Sequence, residues 1–581
     1  MPNSVLRHSG GIVARRKKLF DEVTSLLKRA NELKSEFNEL TPISTLPDDL
    51  LGEVFRHYAA DLANIDGVWD VSHPSSRLPG GPYTWIIVSH VCRRWRDVAL
   101  HFASLWTNVL VTPSEELVAE VLRRSRLAPL DVVVCFDPYT MDAQLGSFCL
   151  VLREVSRIRS LRIAMSDERV PPEILSLMNK PAPQMRSFAV HNFYMGGPPR
   201  ELQRPPVLTE SYHVPQLESL DVYGRFEFGW HHPIASTIKR LSLRKLDVKS
   251  LLDHEKLLSI LQDVCALEYL RLEHAISTTN SRYALPRPRT TTLPRLKELH
   301  LVSKLRTCVV LVGSLRLPSL EKLSADVYAC EEAPDLGTCF STLTSYLGHR
   351  EHTSVYALAV RLMAPNVQFT CYRQENGDDP MDGDHEGKPF CMLLSLANVP
   401  MPSRLFDDTS SAGLPFAAAV KSLSVEDLRD EGIPFNEEFF TKLLHLCNAV
   451  TMLRIRREPA RELVHLLNIH EMPAHRAGQG SGQSQRLPPT LLLPLLQKLI
   501  LQGVYLTHLT SFRLDCIGNL TMYLKATLML RLANRGAAGV REVHLSRCLC
   551  LTSRDVEYLR AGDHFEVKWD GMGMDRMNDL V

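Results

Sequence analysis

Leu46-Pro47-Asp48-Asp49-Leu50-Leu51-Gly52-Glu53-Val54-Phe55 and, further on, Val91-Cys92-Arg93-Arg94-Trp95-Arg96 with Leu105-Trp106 are the stretches on which the reading of this chain turns. Each predicts a short helix with one apolar face. Pro47 suits a first helical position, where its missing N–H is not needed. Asp48 and Asp49 put negative charge at the positive end of the helix dipole. Leu50, Leu51, Val54, Phe55 and Tyr58 then fall on a single stripe at helical spacing. In the second stretch Val88, Val91, Cys92, Trp95, Val98, Ala99 and Phe102 keep that spacing. They predict one continuous helix with Arg93, Arg94 and Arg96 facing away.

The order and identity of these residues add to the pattern. Leu-Pro, Leu-Leu-x-x-Val-Phe, Val-Cys-x-x-Trp and Leu-Trp together resemble an F-box, the three-helix module that docks on a Skp-type adaptor in SCF ubiquitin ligases. The resemblance covers residues 41–111. It implies that Leu46, Pro47, Leu50, Leu51, Val54 and Phe55 enter or support the adaptor interface, with Val91, Cys92 and Trp95 from the closing half. Trp95 would also hold the two halves together. The family usually joins them by a short turn, whereas here Ala59–Pro82 intervene, rich in Gly, Pro and Ser; such a stretch reads as a surface loop. Insertions of this kind are common in F-box proteins of fungal, mushroom type, which the chain is similar to.

A chain of 581 residues exceeds one ordinary core, so several domains or an elongated repeat array are expected. Lys+Arg 67 against Asp+Glu 66 gives no bulk charge that would favour nucleic acid. The 13 cysteines are scattered without a C-x-x-C pair, which reads as reduced thiols of a cytoplasmic or nuclear protein. No apolar run reaches membrane-spanning length, since Leu491–Leu506 is broken by Pro494, Gln497, Lys498, Gln502 and Gly503. The N-terminus lacks the apolar stretch of a signal peptide.

Ahead of the F-box, in residues 1–40, a helix is predicted over Val13–Leu40. Leu19, Val23, Leu26, Ala30, Leu33, Phe37 and Leu40 alternate steps of four and three, a 3.5-residue repeat over three heptads. The seam reads as packing against the F-box or the next domain; a short coiled coil is the alternative. Arg15-Arg16-Lys17-Lys18 reads as a solvated helix end or a nuclear import signal.

Residues 112–562 pose a question of period. Leu117, Val121 and Leu122 predict a helix and Pro129–Val134 a strand, after which a φ-x-x-φ-x-φ pattern of apolar residues recurs. Its instances are centred on Leu161, Phe188, Leu220, Leu241, Leu270, Leu299, Leu323, Leu358, Leu423, Leu453, Leu499 and Val543. Pro183, Pro215, Pro294, Pro318 and Pro494 each stand two residues before an instance; proline tolerates the start of a strand. From Leu161 to Leu358 the centres step by 21 to 35 residues, inside or close to the range of leucine-rich repeats. The doubled step from Leu358 to Leu423 is consistent with a missed or irregular repeat. Helical returns are visible at Leu251–Cys265 and Phe439–Cys447. The last instance, Val540–Leu551 with Cys548, resembles the cysteine-containing leucine-rich repeat of many F-box proteins, which implies a core role for Cys548.

The fold expected is therefore α/β: an N-terminal helix, the F-box and an irregular leucine-rich-repeat solenoid with a parallel sheet, ending in a tail at 563–581. If so, Leu220, Leu241, Leu270, Leu299 and Leu323 are buried in sequence order, and Arg271 and His300 point off the opposite, concave face. Gln374–Lys388, Pro400–Gly413 and Ala474–Pro489 read as flexible loops.

Catalytic and metal readings do poorly. Asp378–Asp384 has Pro380 where a calcium ligand is needed. His470 and His475 lack the zinc-hydrolase pattern, and His231-His232 beside Trp230 has no Cys or carboxylate cluster. No phosphate loop or nucleophile elbow is present. The expectation is a non-enzymatic adaptor without cofactor or metal. It would bind a Skp-type adaptor, through that a cullin-RING ligase, and through its repeats an unidentified protein target; no nucleic acid or membrane partner is expected. The alternative is an F-box-like interaction scaffold acting outside ubiquitin transfer.

Overall fold

A computed structural model gives the architecture. It describes residues 3–62, 83–136, 141–165, 180–192, 214–224, 236–246, 251–277, 291–328, 330, 336–344, 355–363, 365–373, 390–399, 401–406, 414, 416–428, 435–457, 460–467, 492–504, 520–533, 539–548 and 551–572. Most of the insertion 59–82, the loops 374–388 and 474–489, and the His231-His232, Asp378–Asp384 and His470/His475 groups lie outside them. By internal contacts the chain divides into two compact units, Met1–Thr237 and Ile238–Val581.

In the first unit, α1 spans Asn3–Glu39. Its seam does not pack on the F-box: Leu19, Val23, Leu26, Leu33 and Phe37 are all exposed. After a 3-10 turn at Pro42–Thr45 comes α2, Asp48–Leu62, then a 3-10 helix at Thr84–His90, α3 at Arg93–His101 and a 3-10 turn at Ala103–Trp106. β1 (Asn108–Leu110) follows at once. α4 (Glu115–Ser125) starts on Ser114, whose side chain accepts the Leu117 N–H at 3.2 Å, with Glu115 and Glu116 in the first turn. Then come β2 (Leu130–Phe136), α5 (Met141–Arg153), β3 (Ile158–Met165), β4 (Ser187–Asn192) and β5 (Ser219–Tyr223). The five strands pair parallel in sequence order.

The second unit carries β6 (Arg240–Arg244), α6 (His254–Asp263), β7 (Tyr269–Glu273), β8 (Thr291–Thr292), β9 (Glu298–Lys304), α7 (Leu305–Ser314), β10 (Leu315–Arg316) and β11 (Lys322–Tyr328). α8 (Leu336–Thr344), β12 (Ala357–Met363), β13 (Asn366–Tyr372), β14 (Met392–Leu396) and β15 (Ser422–Asp427) come next. They are followed by α9 (Glu437–Leu446), β16 (Met452–Arg457), α10 (Ala460–Leu466) and β17 (Lys498–Gln502). α11 (Leu520–Ala533), β18 (Glu542–Ser546), α12 (Ser553–Arg560) and β19 (Glu566–Trp569) complete the unit. Apart from the small β8–β10 pair, the strands form one sheet in the order β6-β7-β9-β11-β14-β13-β12-β15-β16-β17-β18-β19. The last strand lies inside the segment expected to be a tail. Part of the loop expected at 400–413 is also structured, as a 3-10 helix at Pro402–Phe406.

The recurring motif sets the register. Leu161, Phe188 and Leu220 are partners across β3, β4 and β5. Leu241, Leu270, Leu299 and Leu323 are partners across β6, β7, β9 and β11. Leu358, Leu423, Leu453, Leu499 and Val543 do the same across β12 and β15 to β18. All are buried, each removing a side chain from water for about 1.5–3 kcal/mol. Arg271 and His300 stand side by side between the core positions, both half-buried.

The prolines have a different role from the one expected. They precede the strands as the second residue of a β-turn. The N–H three residues on closes back on the residue before proline: Met185 on Ala182 (3.1 Å), Leu217 on Val214 (3.2 Å), Leu296 on Leu293 (3.4 Å), Leu320 on Leu317 (3.3 Å) and Leu496 on Leu493 (3.2 Å). Proline's fixed φ is preset for that position. The first apolar residue of the motif closes the turn, and the next N–H groups join the preceding strand, as Lys297 and Glu298 do on the Glu268 carbonyl at 2.8 and 3.1 Å.

Sequence order fails in one place. β12 turns back into antiparallel β13, and β13 into antiparallel β14, which closes on β11 with Leu323 opposite Met392. The long step from Leu358 to Leu423 therefore hides no missed repeat between them: those two residues are direct partners. The intervening strands lie on the other side of β12.

Candidate functional site

The apolar stripe predicted on α2 is two stripes. Leu51, Phe55 and Ala59 are buried, whereas Leu50, Val54 and Tyr58, each one position earlier, are 53 %, 47 % and 41 % exposed. Pro47 is also exposed and Leu46 half-buried. From the closing half, Ile87 (58 %) and Val91 (56 %) are exposed, while Cys92 and Trp95 are half-buried. Of the nine residues singled out in the sequence, Leu51 and Phe55 are thus placed to support a surface. Pro47, Leu50, Val54 and Val91 are open to solvent, and Leu46 partly so. Trp95 packs on Phe55 with ring centroids 5.0 Å apart, joining the halves.

The closing half is not one continuous helix. Cys92 is extended (φ −154, ψ 171) and caps α3, its Sγ accepting the Trp95 N–H at 3.4 Å. The break turns Val91 outward, away from the helical stripe that would have buried it.

Arg94 does not face away into solvent. Its Nε and Nη2 donate to Asp48 Oδ1 at 3.0 and 2.7 Å, its Nη1 donates to the Ser44 carbonyl at 2.6 Å, and Nη2 also reaches the Leu46 carbonyl. An exposed ion pair alone contributes little, but a planar guanidinium holding two carbonyls as well fixes the Ser44–Asp48 entry against α3. Gly52 is the second residue the sequence reading missed. A Cβ there would stand 2.5 Å from the Phe102 ring, so only glycine lets that ring lie on α2. The signal available was a glycine inside an otherwise apolar helix.

The module is tied to the first strands. Trp85 and Trp106 meet edge to face at 5.0 Å, Trp106 Nε1 donates to the Ala99 carbonyl at 2.9 Å, and the Arg124 guanidinium of α4 lies 4.5 Å over the Trp106 ring. The Tyr83 hydroxyl donates to the Leu110 carbonyl at 3.3 Å, and burial pushes its pKa up to about 12. Arg157, itself buried, closes the α4 end by donating to Ser125 Oγ (3.0 Å) and the Ala128 carbonyl (2.9 Å).

This exposed apolar strip, on a helix clamped to a second helix, lies within a stretch that a family model matches. Residues 43–112 match the F-box-like family model. No curated protein matches the chain. An F-box-like domain is a protein-interaction module, and F-box proteins are generally non-enzymatic adaptors. Among the described residues no group of three or more His, Cys, Asp or Glu is placed to hold a metal ion, and no helix is long and apolar enough to cross a membrane.

Proposed function

We propose that this chain is the substrate-receptor subunit of an SCF-type ubiquitin ligase in the cytoplasm or nucleus. Its F-box binds a Skp-type adaptor and, through it, a cullin-RING ligase, while the strand array, read as a degenerate leucine-rich-repeat solenoid of fungal F-box type, presents a surface to a protein target. The observation that carries this reading is the exposed strip Leu50, Val54 and Tyr58 inside the residues matched to the F-box-like family. Fixed apolar anchors of this kind dominate interfaces. The mechanism is proximity: a target lysine held near a ubiquitin-loaded enzyme gains effective concentration, with no bond chemistry from this chain. The ties through Trp106, Tyr83 and Arg157 support it, because a fixed join between module and strands fixes that distance.

Co-purification of a Skp-type adaptor and a cullin with the full-length chain tests it; both are expected, and both are lost with Leu46→Ala/Pro47→Ala. A second reading, a scaffold acting outside ubiquitin transfer, is favoured by the insertion between the F-box halves. Adaptor capture without cullin supports that reading.

A further inference from the structure

α1 carries an apolar face left open to solvent. Elsewhere an amphipathic helix buries that side: Leu257, Leu258 and Leu261 of α6 are buried, as are Phe439, Phe440 and Leu443 of α9. On α1, Val23, Leu26, Leu33 and Phe37, with Leu40 just past its end, are between 49 and 85 % exposed, and Ala30 is exposed too.

The spacing names the kind of surface that would cover this face. Alternating steps of three and four stay on one side only where two helices wind around each other, so the occupant is a helix. In heptad positions Val23, Ala30 and Phe37 are a, and Leu26, Leu33 and Leu40 are d. Glu22, Arg29 and Glu36 then fall at g, and Leu27 and Lys34 at e. Those two positions flank the seam, and their charges set partner choice and direction.

The charges of α1 complement those of α1 itself in one arrangement. A parallel pair sets g against the following e, so Arg29 of each copy would face Lys34 of the other. It would also stack Ala30 on Ala30 beside Phe37 on Phe37, a thin layer next to a thick one. An antiparallel pair faces g with g. With Leu26 level with Phe37 of the second copy, and Ala30 with its Leu33, Arg29 meets Glu36 on both sides of the two-fold. Each small side chain then meets a larger one, and the Lys34 stem lies over Leu27. A slip of one heptad, to Leu26 against Ala30, would put Arg29 on Arg29 and Glu22 on Glu36. Arg29 also pairs with Glu32 of its own helix at 3.3 Å, both side chains being exposed. Such a pair contributes little, and five guanidinium donors leave room for Glu36.

We propose that α1 binds the α1 of a second copy of this chain as an antiparallel coiled coil over residues 23–40, with Arg29 of each copy on Glu36 of the other. The two Leu40 positions then stand about 26 Å apart along the helices. The end of α1 is tied to the F-box: Thr41 and Ser44 hydroxyls donate to the Asn38 carbonyl at 2.7 and 2.6 Å, and Arg94 holds the Ser44 carbonyl. The pairing therefore holds two F-boxes at opposite ends of one assembly.

Sedimentation of the full-length protein tests the proposal. A dimer is expected, and Leu26→Glu, at an exposed position, is expected to be monomeric with an unchanged thermal midpoint. Arg29→Glu and Glu36→Arg, both at exposed positions, are each expected to raise the dissociation constant at least about tenfold. Combined in one chain they restore opposite charges and should return it to within about threefold of wild type. A parallel pair would instead be strengthened by Arg29→Glu, which would face Lys34. A monomer at about 100 µM, where a micromolar dissociation constant is saturated, would overturn the proposal. So would a dimer indifferent to Leu26→Glu, tighter association with Arg29→Glu, or no recovery in the double variant. The measurement uses neither adaptor nor target, so its outcome is separate from that of the receptor reading.

Discussion

The strands and the F-box use the same apolar residues to different ends. In every instance of φ-x-x-φ-x-φ all three apolar positions are buried: Leu267, Leu270 and Leu272 at β7, Val450, Leu453 and Ile455 at β16, Leu496, Leu499 and Leu501 at β17. The pattern is consumed by the core. In the F-box half of the stripe remains outside, with Leu50, Val54, Tyr58, Ile87 and Val91 exposed beside buried Leu51 and Phe55. Folding accounts for the first set and leaves the second unexplained. Apolar surface held outward by a rigid framework is what an interaction site requires.

Substitutions sharpen that contrast, beginning with the strands. Leu270→Ala is expected to cost about 4 kcal/mol, toward the top of the range for a buried leucine. Its register partners Leu241 and Leu299 are themselves buried and fixed by backbone pairing, so the cavity cannot collapse. Chemical denaturation of the full chain checks it. Trp95→Ala is expected to cost about 3 kcal/mol, less than full burial would imply because Trp95 is half-exposed. It should abolish adaptor binding through loss of the module, visible as protease cleavage within 46–106. Gly52→Ala overpacks the Phe102 ring and is expected to cost about 1–3 kcal/mol, read as a lowered thermal midpoint. The smallest effect concerns the thiols. Burial pushes the pKa values of Cys308 and Cys447 up to about 12, so at pH 8 both remain protonated and unreactive. Mass spectrometry after brief alkylation of native protein should find exposed Cys265 modified and those two intact.

The strands were legible in the sequence because three constraints coincide on one short segment: the inward alternation, the first apolar residue that closes the turn, and the proline that presets it. Their shared registration follows. Direction was not legible for β13 and β14. Val367, Phe369 and Cys371, like Met392, Leu394 and Leu396, alternate as any strand does, and alternation is the same for either direction. For β13, what sets direction is the short link between Met363 and Asn366, register partners in a hairpin, since parallel neighbours need a long crossover. In the F-box, family resemblance marked the right helices but not which stripe faces out. Leu50 and Leu51 are adjacent in sequence, and the packing of Trp95 and Phe102 from α3 and its end decides between them. Arg94 was read as a solvated charge because its carbonyl partners, Ser44 and Leu46, are distant in sequence.

Titration calorimetry of a purified Skp-type adaptor into the full-length chain, wild type against Leu50→Ser/Val54→Ser, tests the central claim most directly. Both positions are exposed, so stability should shift by no more than about 0.5 kcal/mol per site, with the thermal midpoint measured alongside. The expected result is one-to-one binding by the wild type and at least about tenfold weaker binding by the variant, the loss of about 1.4 kcal/mol or more from one anchor. Equal affinity for the two proteins, at equal thermal midpoint, would contradict the assignment of this strip to adaptor docking.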